Sequence, residues 1–381
     1  MASTSRRLPG LWQGVRWAWA RGNEGGGIGR ARLTRRALAA TLAHRSALQR
    51  WMSVVHELAS RGLVRDVQGE YLRAIRPHVN MHTGVADRAV QLIDHVDWME
   101  TAFHSWALER FAGDEPLVLA ELTPPRGYEF MRLQLQRTPV QAPEGELLLV
   151  LALRRAANVQ HKAQPVEAAA LGFSRFRIEG TGCLVIGGVR GQRDPLNRLS
   201  QAELNNVLVG WKPSVLLVRV MQELARYWGQ KLVGLDPAAH RLHHWTYRLD
   251  ERRRETGQKI FAAYDALWKH FDAQPGPEGW VVLPAHSDEK LAATDLSPER
   301  RERQVRRADY WIRTRKLLHA QMKSLLQRPG REITRGGVTE ELDSVTQSPD
   351  GTSSYFDADY LDSSEDDVPS RVLQTGPGAL L

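Results

Sequence analysis

The chain reads as an α+β protein: N-terminal helices, a mostly antiparallel strand meander continuing into a strand-helix-strand-helix-strand unit, a C-terminal basic helix and a disordered acidic tail. Three observations carry this reading. Before Pro116 apolar residues recur at helical intervals, after it the period shortens to two, and from Cys183 onward strands alternate with amphipathic helices. With 381 residues, 42% of them hydrophobic, the chain can bury a sizeable core.

Residues 1–33 form a flexible arm in which Trp12, Trp17 and Trp19 mix with Arg6, Arg7, Arg16 and Arg21. Such a segment suits an anionic membrane surface, with a loosely packed arm as the plainer reading. A single α+β domain is expected over 34–328, helical over 34–113, with the sheet core over 117–283. Leu38, Leu42, Leu48, Met52, Val55 and Leu58 mark one helix from Thr34 to Leu63, stopped at Gly62. Asp87 caps a second that carries Ala89, Leu92, Ile93, Val96 and Trp98 on towards Phe111 and Gly113.

The strands follow. Leu117 to Leu122 leads through the Pro124-Pro125-Arg126-Gly127 turn to Met131, Leu133 and Leu135, which alternate with polar residues. Glu146 to Arg154, Val166 to Ile178 and Cys183 to Val189 complete the meander. A short helical stretch, Ser200 to Val209, precedes Pro213, which sits where a helix favours proline; Leu216, Leu217, Val220, Met221 and Leu224 form the buried stripe behind it. Lys231 to Leu235 is a strand, the region from Gln258 a helix with Tyr264 on its apolar stripe, and Trp280 to Leu283 the closing strand. Ser297-Pro298-Glu299 starts a long basic helix to Gln327, with Val305, Ala308, Ile312 and Leu318 as its packing stripe. The tail, 329–381, is too polar to bury a core.

Charge and cysteine bound the function. Residues 336–370 hold ten acidic side chains and no Lys or Arg, so the formal +8 of the chain becomes +18 for the remainder. That balance favours an anionic partner: a phosphorylated cofactor, an acidic lipid surface or nucleic acid. The single cysteine, Cys183, lies in an apolar strand and reads as a buried inert thiol. Ser5-Arg6-Arg7-Leu8 has no apolar stretch of ~7–15 residues behind it, and the longest apolar run falls far short of the ~20 residues that span a bilayer. The expected location is cytoplasmic, with peripheral attachment to the inner membrane as a variant, and no transmembrane helix.

Six stretches in order carry a family resemblance: Gly127-Tyr128-Glu129-Phe130, Glu144-Gly145-Glu146-Leu147, Ile186-Gly187-Gly188-Val189-Arg190-Gly191, Gly210-Trp211-Lys212-Pro213, Tyr264-Asp265-Ala266-Leu267-Trp268 and the terminal Arg-rich helix. Together they resemble the bacterial VirK/YbjX family over roughly residues 70–325, a family of unknown molecular function. The resemblance implies a role in virulence, envelope stress and tolerance of antimicrobial peptides.

Two functions of different class follow. The element order is similar to that of acyl-CoA N-acyltransferases, which implies an acyl-CoA or acyl-carrier thioester held at Arg190, Gly191, Lys212 and Ser214. Its pyrophosphate would sit at the start of the Pro213 helix and Tyr264 would be the general acid. About twenty residues separate the Cys183–Val189 strand from that helix, where acyltransferases have a short loop. The alternative is a non-catalytic regulatory or interaction protein binding an anionic partner through its basic helix. His240, His243 and His244 match no zinc spacing, and Gly187-Gly188-x-x-Gly191 lacks the third glycine and the acidic residue of a dinucleotide fingerprint, so no metal is expected.

Overall fold

Apolar alternation after Pro116 builds one eight-stranded sheet: β1 (Leu117–Leu122), β2 (Tyr128–Arg137), β3 (Leu147–Arg155), β4 (Val166–Ile178), β5 (Thr181–Gly191), β6 (Lys231–Leu235), β7 (Gln274–Pro275) and β8 (Trp280–Leu283). Its order is β1-β2-β3-β4-β5-β6-β8-β7, and only the β5–β6 pair is parallel. The computed structural model describes residues 12–21, 30–76, 78–140, 142, 144–156, 165–192, 198–243, 251–286 and 297–327, with 251–256 by backbone alone. The expected acidic tail lies outside the described residues. These fall within one compact unit, 1–336.

Among the described residues six helices precede the sheet: α1 (Gln13–Arg21), α2 (Arg30–Ala43), α3 (Arg45–Ser60), α4 (Val67–Ile75), α5 (Val85–Ala102) and α6 (Ser105–Ala112). The helix expected over 34–63 is two, because the backbone leaves helical geometry at His44. Leu42 consequently faces solvent, and α2 buries Leu33, Ala37 and Ala40 instead. The second expected helix also divides, at Phe103 and His104, and its cap is Gly84, with Asp87 reaching back from the third position to the Gly84 N–H. In the arm, α1 buries Ala18, sets Trp17 edge-on to Tyr71 at 5.5 Å and pairs Arg21 with Asp66.

The parallel β5–β6 pair requires a crossover, supplied by α7 (Gln201–Val207) and α8 (Pro213–Tyr227). Two more helices follow, α9 (Glu251–His270) and α10 (Pro298–Leu325). The latter packs along β1 through Thr314, Leu318, Met322 and Leu325. Val305 and Ile312, expected on its packing stripe, are 47% and 50% exposed, because the buried face is carried by Thr314, Leu318, Met322 and Leu325. Two large apolar clusters result, with a small third of Phe130, Leu148, Val150, Ala152 and Ala170 on β2, β3 and β4. Of the large pair, one joins the sheet with α8, α9 and α10, and the other fills the space among α1 to α5.

Candidate functional site

β5 and β6 stay paired from Cys183 and Lys231 to Ile186 and Gly234, and there the pairing stops. β5 continues five residues to Gly191 with β4 as its partner on the other side. The register against β4 jumps from Gly172–Gly188 to Phe173–Ile186, so Gly187 is the extra residue of a β-bulge at the point of parting. Bulges twist a strand and re-aim its groups, and they gather near active sites.

The glycines here are explained by a close crossing. Glu144 and Gly145 lie over β4 and β5, and a Cβ on Gly187 would overlap the Glu144 carbonyl oxygen, while one on Gly145 would stand 2.5 Å from the Phe173 nitrogen. Gly145 itself has φ +151°, open chiefly to glycine. The glycine run is therefore a packing requirement of this crossing.

Tyr264 of α9 meets the edge that β6 has left. The Val189 N–H donates to its hydroxyl oxygen at 3.3 Å. Across bare Gly188 stands Glu144: a Cβ built there would lie 2.6 Å from Glu144 Cγ and 3.4 Å from the Tyr264 hydroxyl. Glu144 Oε2 is buried without a hydrogen-bond partner. Burial, reinforced by the Glu144 carboxylate, pushes the Tyr264 hydroxyl up to about 12, so it remains a proton donor at neutral pH. His240, whose ring is 6.1 Å from that of Tyr264, is held down to about 4 by burial and then by Arg241, so it is neutral. Its Nδ1 accepts from the Leu242 N–H at 3.2 Å. The loop around it is pinned to residues 79–81 by Arg241 N–H to Val79 O at 2.8 Å and Met81 N–H to Ala239 O at 2.9 Å.

The other expected site residues are distributed around this centre. Arg190 forms a two-pronged ion pair with Glu167 of the neighbouring strand, at 3.0 and 3.3 Å. Gly191 ends β5 with open space beside it. Lys212 is the N-cap of α8 and Ser214 its second residue, and no side chain caps that helix start. Trp211, fully buried, fixes it: its Nε1–H donates to Arg307 O at 3.1 Å, and the guanidiniums of Arg219 and Arg307 each lie 4.8 Å from its ring. Burial and then the charges of Arg219, Arg307 and Lys212 push the His270 pKa down, so the surroundings of this helix start are electropositive. Cys183 is buried, and burial raises its thiol pKa. His243 stacks on Phe261 at 3.9 Å, and His244 lies outside the described residues. Among the described residues no group of three or more His, Cys, Asp or Glu is placed to hold a metal ion.

A second polar cluster adjoins the first and is invisible in the sequence order. Glu146 Oε2 is 2.6 Å from Arg73 Nη1, and its other oxygen pairs with Arg88. Arg73 also reaches Glu70 at 3.1 Å, which Arg137 meets at 2.9 Å. Alongside, Arg175 pairs with Asp94 at 2.5 Å, and its backbone N–H donates to His95 Nδ1 at 3.1 Å. Burial opposes ionisation of Glu146, but Arg73 and Arg88 outweigh it and hold the carboxyl at about 2. Burial holds His95 at about 3, hence neutral. These partners come from α4, α5, β2, the start of β3 and β4, so only the folded topology brings them together. Nothing in the Glu144-Gly145-Glu146 spacing separates a carboxylate facing Tyr264 from one inside an arginine cage.

Among the described residues no helix is long and apolar enough to cross a membrane. A family model described as a protein of unknown function (DUF535) matches residues 28–312. No curated protein and no solved structure matches the chain.

Proposed function

The chain belongs to the DUF535 family of proteins of unknown function, and from that premise we propose that it is an acyltransferase-like enzyme using an acyl-coenzyme A or acyl-carrier thioester. The observation that carries this is the parting of β5 from β6 at the Gly187 bulge, with a proton-bearing tyrosine and an unpartnered carboxylate facing each other over Gly188. The strand order, with one parallel pair bridged by α8, agrees with the acyltransferase arrangement, although order alone does not establish activity. A thioester supplies an activated acyl group. Glu144 takes the proton of an acceptor amine or hydroxyl, and Tyr264 donates a hydrogen bond to the departing sulfur. The start of α8, with Lys212 and Ser214, attracts the pyrophosphate through its helix dipole and surrounding cations. Arg190 and Gly191 border the donor at the end of β5.

We read the family as VirK/YbjX, so the acyl transfer would serve virulence, envelope stress and resistance to antimicrobial peptides from the cytoplasmic side, including at the inner-membrane surface. The second reading, a non-catalytic protein binding an anionic partner, is favoured by one observation: α10 exposes Arg303, Arg306, Arg313 and Lys316 along its length.

Calorimetry against coenzyme A, short acyl-CoA thioesters and acyl-carrier protein thioesters separates the two. Lys212→Glu should abolish donor binding with the fold intact. Tyr264→Phe and Glu144→Gln should keep donor affinity and each lose roughly 10²–10⁴-fold in turnover. No heat with any donor would overturn the enzyme reading.

A further inference from the structure

α1 and α2 both rest on Tyr71 of α4. Gly14 of α1 lies so close that a Cβ built there would stand 2.4 Å from Tyr71 Cε1, Trp17 meets the ring edge-on, and Thr41 of α2 meets the hydroxyl. The sides of α1 and α2 turned away from Tyr71 therefore point the same way. On α1 that side carries the exposed Trp12, Arg16 and Trp19, and on α2 the exposed Arg35, Ala39 and Leu42, each set at the helical spacing that stacks side chains on one face.

Leu42, Trp12 and Trp19 are the three most exposed large apolar side chains among the described residues, at 71%, 63% and 56%. Apolar groups gathered on one exposed face mark an interaction surface. The Arg30 guanidinium stands 5.3 Å from the Trp19 ring centroid, so a cation is held beside the indole.

The charge of this region is one-sided. Residues 12–21 and 30–56 contain eight arginines and no Asp or Glu. Arg21 is paired with Asp66 and Arg36 donates to the Ile75 carbonyl, so those two are engaged within the fold, while Arg16, Arg35, Arg45 and Arg50 are exposed. Indole settles at the boundary between headgroups and acyl chains, and guanidinium is drawn to anionic headgroups. Nucleic acid would engage the arginines and indoles but offers nothing to Leu42. α10 is equally basic, but it sets Glu302 and Asp309 among its exposed arginines, and its Tyr310 and Trp311 pack inwards.

We infer that the α1–α2 face docks on an anionic lipid bilayer, with Trp12, Trp19 and Leu42 entering the headgroup boundary and Arg16 and Arg35 pairing with lipid phosphate. This deepens the reading of a protein at the inner-membrane surface by giving that attachment a place on the molecule, and it rests on neither the acyl transfer nor α10.

Co-sedimentation of the full chain with vesicles tests it. Phosphatidylethanolamine vesicles containing about one quarter phosphatidylglycerol should carry the protein down, and pure phosphatidylcholine vesicles should not. Arg16→Glu with Arg35→Glu should weaken binding at least about 25-fold, about fivefold for each cation removed. Trp12→Ser with Trp19→Ser should weaken it at least about tenfold. Arg306→Glu with Arg313→Glu on α10 should leave most of the binding in place. Because Cys183 is buried, a polarity-sensitive dye can be attached at Leu42→Cys alone, and its emission should shift to the blue on the anionic vesicles. That shift reports on the docking face even if a charge-reversed variant folds poorly. No sedimentation with anionic vesicles, equal binding to phosphatidylcholine, no blue shift, loss through the α10 pair with the α1–α2 pair still bound, or duplex DNA held more tightly than vesicles at the same salt would each overturn the inference. Failure to bind coenzyme A would leave it untouched, and failure to bind vesicles would leave the acyltransferase reading standing.

Discussion

Glu146, His95 and His240 share one property: each is held in a charge state that acid removes. Glu146 is held at about 2, His95 at about 3 and His240 at about 4, all below their ordinary values. A group whose pKa is depressed by folding contributes stability above its unfolded value, and that stability is lost as pH falls towards the folded one. The histidines therefore begin to cost stability below about 6.5 and Glu146 below about 4.5, each by up to about 1.4 kcal/mol per pH unit. Urea unfolding at pH 7.5, 5.5 and 4 should show a falling free energy that steepens below about 4.5. His95→Gln, which can still accept from the Arg175 N–H, should flatten the slope by one proton's worth. An unchanged slope would contradict the buried neutral ring.

At the scale of elements, the crossing of Glu144–Gly145 over β5 makes a sharp distinction between glycines. Gly187→Ala forces a methyl onto the Glu144 backbone and should cost about 1–3 kcal/mol, whereas Gly191→Ala meets open space and should be nearly neutral. Equal losses in denaturant titrations would show that the crossing is loose. The strands and α8 were legible because period-two alternation and the Pro213 start are local signals. The break at His44 was not, since Leu38 and Leu42 before it and Leu48 and Met52 after it recur at roughly helical intervals, and only tertiary packing turns Leu42 outward. The stripe of α10 failed for a related reason. Val305 and Ile312 repeat at seven residues on an Arg-rich helix, but β1 touches the part carrying Leu318 and Met322.

Over the whole molecule, the sequence order predicts the strand meander and the strand-helix-strand unit that continues it, but not how the helical layer is attached to the sheet. Tyr264 was singled out as a candidate acid from the element order, yet its partner Val189 lies 75 residues away and Glu144 farther still. The Arg88–Glu146 contact likewise spans 58 residues and has no local signature. The basic character of the chain was legible throughout, because charge is additive along a sequence in a way that pairing is not.

The ionic seam between the helical cluster and the sheet has a further consequence, for cooperativity. Two apolar cores joined by charged contacts need not open together, since in acid Glu146 takes up a proton once the junction opens, which lowers the cost of parting them while leaving each interior dry. Native-state hydrogen exchange near pH 4 should then reveal amides of α3, α4 and α5 exchanging as one foldon, at a free energy below that of β3, β4 and β5. A single exchange class across both layers would mean that apolar contact alone holds them together. The carboxylate that anchors the helical layer would thus set where this protein first comes apart.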